Sequence, residues 1–292
     1  MGCKNPRPVK VDPIESLAHP GTYITTLLTR CGKCLYCIER KKSEWCFRME
    51  VEAEHSLTKY FVTLTYTNKY VPYDSYGNLI LVQSDLTKFM KRLRHYHCKG
   101  DRLETIRHGL TRHHKIKMFA CGEYGSERGR PHFHLMIFNA CRKDIEKAWS
   151  FGNVHCVPAD TSGAAAYVMK YMDKQVTYKD AWKKPKEFTT QSEGIGKDYV
   201  DKFKNWHKAN LDVNYTVSRT GALIPMSRYY RNAIFTEDEL KKQSGFIAET
   251  VELSNNLEMK KIGKSQWIEN NLMKERLRNL KFKRSFKERK ID

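Results

Sequence analysis

Two histidines separated by one residue, His132-Phe133-His134, follow Pro131. Along an extended strand alternate side chains share a face, so the two imidazoles project together while Phe133 points the other way. Paired imidazoles can bind one divalent cation; two structural histidines would show the same spacing. Glu123 adds a carboxylate. It ends the preceding apolar run, Lys115 to Glu123, and the charged, Gly-rich loop from Tyr124 to Pro131 returns the chain directly to His132. In an antiparallel hairpin Glu123 then lies opposite or diagonal to both histidines. Two nitrogens and a carboxylate oxygen make a three-ligand site with open positions, able to polarise a phosphate oxygen. Glu127, inside the loop, is the weaker candidate for the third ligand.

A second constellation lies downstream, in Ala164-Ala-Ala-Tyr-Val-Met-Lys-Tyr-Met-Asp-Lys174. Helical spacing puts Ala165, Val168, Met169 and Met172 on one apolar stripe that should pack on a sheet. Tyr167, Tyr171 and Lys174 fall at i, i+4 and i+7 and form a neighbouring stripe. A phenolate can attack phosphorus and remain as a phosphotyrosine, keeping the bond energy for rejoining. A nearby ammonium can stabilise the charge that develops. Tyrosines packed at a helix border are the plain alternative.

Cys31, Cys34 and Cys37 are separated by two residues each, and Cys3 could complete a four-cysteine zinc site; Cys46 or a histidine is another possible fourth ligand. No second CxxC follows, and reduced thiols with no metal would fit the same pattern. Arg228-Tyr-Tyr-Arg231 mixes cations and rings, as a base-stacking or phosphate-contacting surface does; a tyrosine pair closing a hairpin core would also explain it. Gly263-Lys-Ser265 suggests a phosphate-binding loop, but Glu258 stands where that loop needs a glycine.

The elements that must position these groups alternate in type. Leu35 to Leu57 has a helical period, and Phe61 to Tyr66 is β-branched and aromatic, hence a strand. Pro72 to Gly77 is a loop, and Asp85 caps a helix that turns Leu86, Phe89, Met90 and Leu93 inward. The strands Lys115–Glu123 and Pro131–Phe138 form a hairpin. A helix over Asn139–Phe151, a strand at Val154–Val157 and a helix from about Asp160 to Gln175 follow. Val176 to Gly196 reads as a loop, Lys197 to Asn210 as a helix, and Val213 to Ser227 as a hairpin around Arg219-Thr-Gly221. Beyond Thr236 the chain is polar, basic and helix-prone. This is an α+β pattern, a central antiparallel sheet flanked by helices that include the tyrosine helix. The expected division is a domain over residues 1–235, with its Cys-rich N-terminal segment, and a basic helix-prone tail over 236–292.

Charge bounds the partner. In 292 residues there are 53 Lys+Arg against 33 Asp+Glu, a formal net charge of +20. Such a field attracts polyanions, nucleic acid first. No stretch is long and apolar enough to span a bilayer, and Met1 to Pro8 is not followed by the apolar run of a secretory signal. A cytoplasmic protein is expected, in which the nine cysteines stay reduced or bind metal.

Taken together, the strand Phe61–Tyr66, Glu123 with His132-Phe-His134, and Tyr167-x-x-x-Tyr171-x-x-Lys174 resemble the HUH endonucleases (histidine-hydrophobe-histidine) in their replication-initiator order. Cys31-Gly-Lys-Cys-Leu-Tyr-Cys37, Cys121-Gly-Glu-Tyr-Gly125, Arg130-Pro-His-Phe-His134, Gly194-Ile-Gly196 and Arg228-Tyr-Tyr230 narrow the resemblance to the replication initiators of microviruses, especially the gokushovirus branch. It covers roughly Cys3 to Arg231. The order of the motifs is specific; no one of them is.

The resemblance implies a central antiparallel sheet carrying the HUH strand, with the tyrosine helix beside it. It implies Mg²⁺ or Mn²⁺ at His132, His134 and Glu123, and Tyr171 as first nucleophile with Tyr167 alternating and Lys174 assisting. The reaction would be nicking and rejoining of single-stranded DNA at an origin in rolling-circle replication, in the cytoplasm of a bacterial host whose helicase and DNA polymerase complete the work. Arg130, Arg228, Tyr229 and Arg231 would be DNA contacts. A relaxase or transposase of the same superfamily, or a non-enzymatic single-strand binder, would share parts of this pattern.

Overall fold

The computed structural model describes residues 3, 5–15, 21–99, 109–111, 113–125, 128–159, 165, 168–169 and 185–288. The chain forms two compact units, one of residues 42–201 and one of residues 1–41 with 202–292.

The 42–201 unit is built on a five-stranded antiparallel sheet. Its strands are β3 (Lys59–Thr65), β4 (Lys117–Tyr124), β5 (Pro131–Phe138), β6 (Val154–Pro158) and β7 (Phe188–Gln191), in the order β6-β3-β5-β4-β7. Alternation along β3 is complete: Val62 and Leu64 are buried on one face, and Phe61, Thr63 and Thr65 belong to the other. Central β5 is covered on both faces, which explains its nearly unbroken apolar run after His134.

One face of the sheet packs Phe133, Leu135 and Ile137 under α2 (Gln83–Lys99) and α3 (Arg142–Ala148), through Leu86, Phe89, Leu93 and Ile145. The opposite face packs Phe119, Cys121, Met136 and Phe138 against Met49 and Ala53 of α1 (Leu35–Glu54) and against Ala165, Val168 and Met169. Those last three are buried as the expected apolar stripe requires; Met172 lies outside the described residues.

The second unit holds two small antiparallel pairs and long helices. Strands β1 (Arg7–Glu15) and β2 (Tyr23–Thr29) form a ribbon that no strand-like alternation in the sequence announces. Strands β8 (Tyr215–Val217) and β9 (Leu223–Pro225) form the expected hairpin. Asp198–Ala209 is α4, whose last residues belong here, and α5 is Arg228–Ile234. Helix α6 (Glu237–Ile262) opens with a capping box between Thr236 and Glu239, and Gly263 separates it from α7 (Lys264–Glu288).

Several local expectations are corrected. Asp85 does not cap α2, which begins two residues earlier; its carboxylate accepts from the Tyr66 hydroxyl at 3.0 Å and from Lys88 Nζ at 3.1 Å. The helix expected from Asn139 starts only at Arg142. Asn139 has a positive φ of 58°, and its side-chain oxygen accepts from Leu57 N–H, so it ends β5 instead. Within the segment expected as a loop, Phe188–Gln191 pairs along β4 as an edge strand. Arg228-Tyr-Tyr-Arg231 lies on a helix capped by Ser227 and not in a hairpin.

Candidate functional site

Strand register assembles the site. On the β4–β5 pair Glu123 stands directly opposite His132, and Cys121 opposite His134; on the β3–β5 pair Thr63 faces His134 and Thr65 faces His132. Parity does the rest. Glu123, His132 and His134 come together, with one ligand atom from each lying within 4.8 Å of the others.

The rings are oriented by groups behind them. His132 Nδ1 lies 3.0 Å from the carbonyl oxygen of Arg130, which can only accept, so Nδ1 donates there. Its Nε2 faces Glu123 Oε1 at 2.6 Å. His134 Nδ1 lies 3.0 Å from Thr63 Oγ1, and its Nε2 lies 3.2 Å from the same carboxylate oxygen. Phe61 stacks on the His134 ring at 5.7 Å between centroids, and the two imidazoles meet edge-on at 4.9 Å. Two imidazole nitrogens aimed at one carboxylate oxygen, each ring held from behind through Nδ1, form a donor set suited to a divalent cation. Glu123 and His134 are buried and His132 is partly open, so solvent reaches the site from one side.

Further out, Arg130 donates to Asn68 Oδ1 at 2.8 Å and to the Tyr66 carbonyl at 2.7 Å, fixing the end of β3 beside the histidines. Gly152 approaches the same strand end so closely that a Cβ there would strike the backbone of Thr65, Tyr66 and Thr67. Thr63 and Gly152 are not visible as site residues in the sequence; their roles depend on which strands become neighbours.

Ala165, Val168 and Met169, each helical, pack on this sheet face. Cys121 Sγ lies 3.6 Å from the Val168 carbonyl, one strand over from His134. Tyr167, Tyr171, Lys174 and Glu127 lie outside the described residues. The Gly194-Ile-Gly196 motif acts in packing: Ile195 is fully buried, and the Gly196 N–H donates at 2.9 Å to Glu52, whose carboxylate also pairs with Lys117 at 2.7 Å.

In the other unit, Arg231 is half-buried against α6, donating to Gln243 Oε1 and Ser244 Oγ, and desolvation lowers its pKa. Tyr230 is buried; Arg228 is exposed and Tyr229 partly so. The sulfurs of Cys3, Cys31, Cys34 and Cys37 form a second cluster within 4.8 Å, and Cys46 is not part of it. Backbone N–H groups of Lys33 and Cys34 bring the Cys31 thiol down to about 6, whereas burial pushes Cys37 up to about 12. Among the described residues no helix is long and apolar enough to cross a membrane.

An antiparallel sheet with a His-Glu-His centre, flanked by a helical segment, defines a class. Residues 59–176 match the family described as replication-associated protein ORF2/G2P. This segment is thus similar to the replication-associated proteins of several bacterial viruses. It is 31% identical to the replication-associated protein ORF2 of Spiroplasma virus 4, over 61% of this chain and 58% of that one. It is 26% identical to the replication-associated protein VP4 of Bdellovibrio phage phiMH2K, over 69% of this chain and 66% of that one. A third relative, the replication-associated protein ORF4 of Chlamydia phage 1, is 27% identical over 58% of this chain and 45% of its own length. The chain thus spans less than two thirds of the length of each of these curated relatives. No solved structure matches it.

Proposed function

We propose that this protein initiates rolling-circle replication by nicking and rejoining single-stranded DNA at an origin, through a 5′-phosphotyrosine intermediate. The observation that carries the reading is the convergence of His132 Nε2 and His134 Nε2 on Glu123 Oε1. These three residues would hold Mg²⁺ or Mn²⁺. When bound, such an ion supplies positive charge beside the scissile phosphate.

The chain's own groups do the remaining work. Thr63 and the Arg130 carbonyl hold the two rings in orientation. Lys174 would place an ammonium near the reacting phosphate. The Tyr171 hydroxyl would lose its proton and form a bond to phosphorus as the bond to the 3′ oxygen breaks; that oxygen takes up a proton and leaves as a free 3′-hydroxyl. Tyr167 would make the second transfer, which releases the circle. Arg130, Arg228, Tyr229 and Arg231 are the proposed DNA contacts. For Arg228 the exposure favours such a role, whereas the internal partners of Arg130 and Arg231 favour an indirect one. Host helicase and DNA polymerase would act on the nicked strand, which puts the reaction in the bacterial cytoplasm. We take residues 1–235 as the nicking domain and 236–292 as a basic extension.

The test uses labelled single-stranded oligonucleotides tiled across the candidate origin. The expected product is a covalent protein–DNA adduct that survives denaturing electrophoresis, disappears with chelator and returns with Mn²⁺. Tyr171→Phe should lose most first-strand cleavage, Tyr167→Phe should nick but not circularise, and the double variant should form no adduct. An adduct that persists in the double variant places the nucleophile elsewhere. DNA retention without any adduct would make the protein a binder and not an enzyme.

A further inference from the structure

We propose that Cys3, Cys31, Cys34 and Cys37 hold one structural Zn²⁺ as a tetrathiolate. The first argument is metric. Zinc–sulfur bonds of about 2.3 Å in a tetrahedron place the sulfurs about 3.8 Å apart. The structure gives 4.0 Å for Cys31–Cys37, 3.9 Å for Cys34–Cys3, 3.7 Å for Cys37–Cys3 and 3.5 Å for Cys34–Cys37. Four edges of the figure scatter around the tetrahedral value, and none of these cysteines is in a disulfide.

The second argument is the direction of the backbone amides. Lys33 N and Cys34 N donate to Cys31 Sγ at 3.4 and 3.3 Å, and Cys31 N donates to Cys3 Sγ at 3.2 Å. Amide donors aimed at sulfur favour the thiolate, the form that binds metal. Gly32, with φ of 72°, makes the turn that directs two of those amides inward. A chance gathering of thiols would not require this backbone.

The third argument is what the ion would hold. Strands β1 and β2 have no fully buried residue. A two-stranded ribbon without a core is marginal in water. Its open end is the Arg7–Thr29 pair, with Cys3 four residues before it and Cys31 two residues after. Cys34 precedes α1 and Cys37 lies in its first turn. One ion therefore fastens the open end of the ribbon to the start of the helix and supplies the cohesion that apolar side chains do not.

The experiment uses the full chain, purified under reducing conditions without added metal. Elemental analysis should give one zinc that persists in the His132→Ala/His134→Ala variant, which separates this site from the triad. It should persist in Cys46→Ser and be lost in Cys34→Ser and Cys37→Ser. Loss through misfolding is controlled on the unmodified protein: a strong chelator should release one zinc and make four additional thiols reactive in step. Cobalt substituted for zinc should show the charge-transfer absorption of thiolate ligation. The proposal fails if the four thiols react fully without chelator, if the bound zinc vanishes in the histidine variant, or if iron occupies the cluster.

Discussion

At the scale of single residues, the geometry of the Glu123, His132 and His134 cluster rests on hydrogen bonds behind the two rings. Thr63 sits on a different strand from His134 and touches it only because β3 and β5 pair in this register. Its hydroxyl lies 3.0 Å from the ring's Nδ1, and so fixes the rotation that presents Nε2 to the carboxylate. Groups in this position typically govern metal affinity by about ten- to a hundredfold. Thr63→Val keeps shape and strand preference but deletes the hydroxyl. The expected result is a metal affinity reduced by about tenfold or more, with cleavage restored at high Mn²⁺. Unchanged metal titration curves would mean that Phe61 stacking alone suffices. His132, His134 and Glu123 are legible in the sequence because the strand period of two is rigid and a hairpin loop returns one strand to the other. Thr63 is not, because nothing local records which distant strand will lie beside β5.

At the scale of elements, legibility follows how much of the positioning is local. The β4–β5 hairpin, α1, α4 and the β8–β9 turn declare themselves through periodicity and turn residues. Strand β7 does not: it is four residues long and lies on the sheet edge, with no buried face to impose a pattern. The β1–β2 ribbon carries Pro8, Pro13 and charges, so its strand character is invisible until the ribbon's ends are brought together. Gly152 is equally silent, although an added Cβ there would have less room than at Gly122 or Gly125 of the same unit. A methyl group there meets backbone, which cannot step aside. Gly152→Ala should cost about 3 kcal/mol and lower the melting temperature by roughly 5–10 °C, with cleavage impaired because Thr65 shifts beside His132. Gly245 makes the opposite case. It lies inside α6, where an added Cβ would meet only the Ile14 side chain at 3.5 Å, an ordinary contact. Gly245→Ala should therefore stabilise by about 0.5–1 kcal/mol. Thermal denaturation of the two variants side by side checks both signs, and equal effects would show that local space is not what decides.

At the scale of the whole molecule, charge is the property no single contact contains. A net +20 leaves the protein surrounded by a positive field, and α7 concentrates part of it, with eight Lys or Arg against three Glu. The packing of α7 falls mainly on α6, and Leu272, Met273 and Leu277 remain exposed on it. If DNA is held largely by its backbone, affinity for a single strand should fall with salt at a slope of about −0.7 per phosphate contacted. For four contacts that is about a fiftyfold loss between 50 and 200 mM. Deleting residues 264–292 should weaken binding and make the slope shallower. It should leave the cleavage position and the single-turnover rate at saturating DNA unchanged, because the triad and its supports all lie within residues 42–201. Binding isotherms at several salt concentrations, paired with single-turnover cleavage, measure both quantities. A deletion that leaves the slope untouched would remove α7 from the DNA interface. A deletion that abolishes cleavage at saturating DNA would show that the extension serves the chemistry and not merely the capture of the strand.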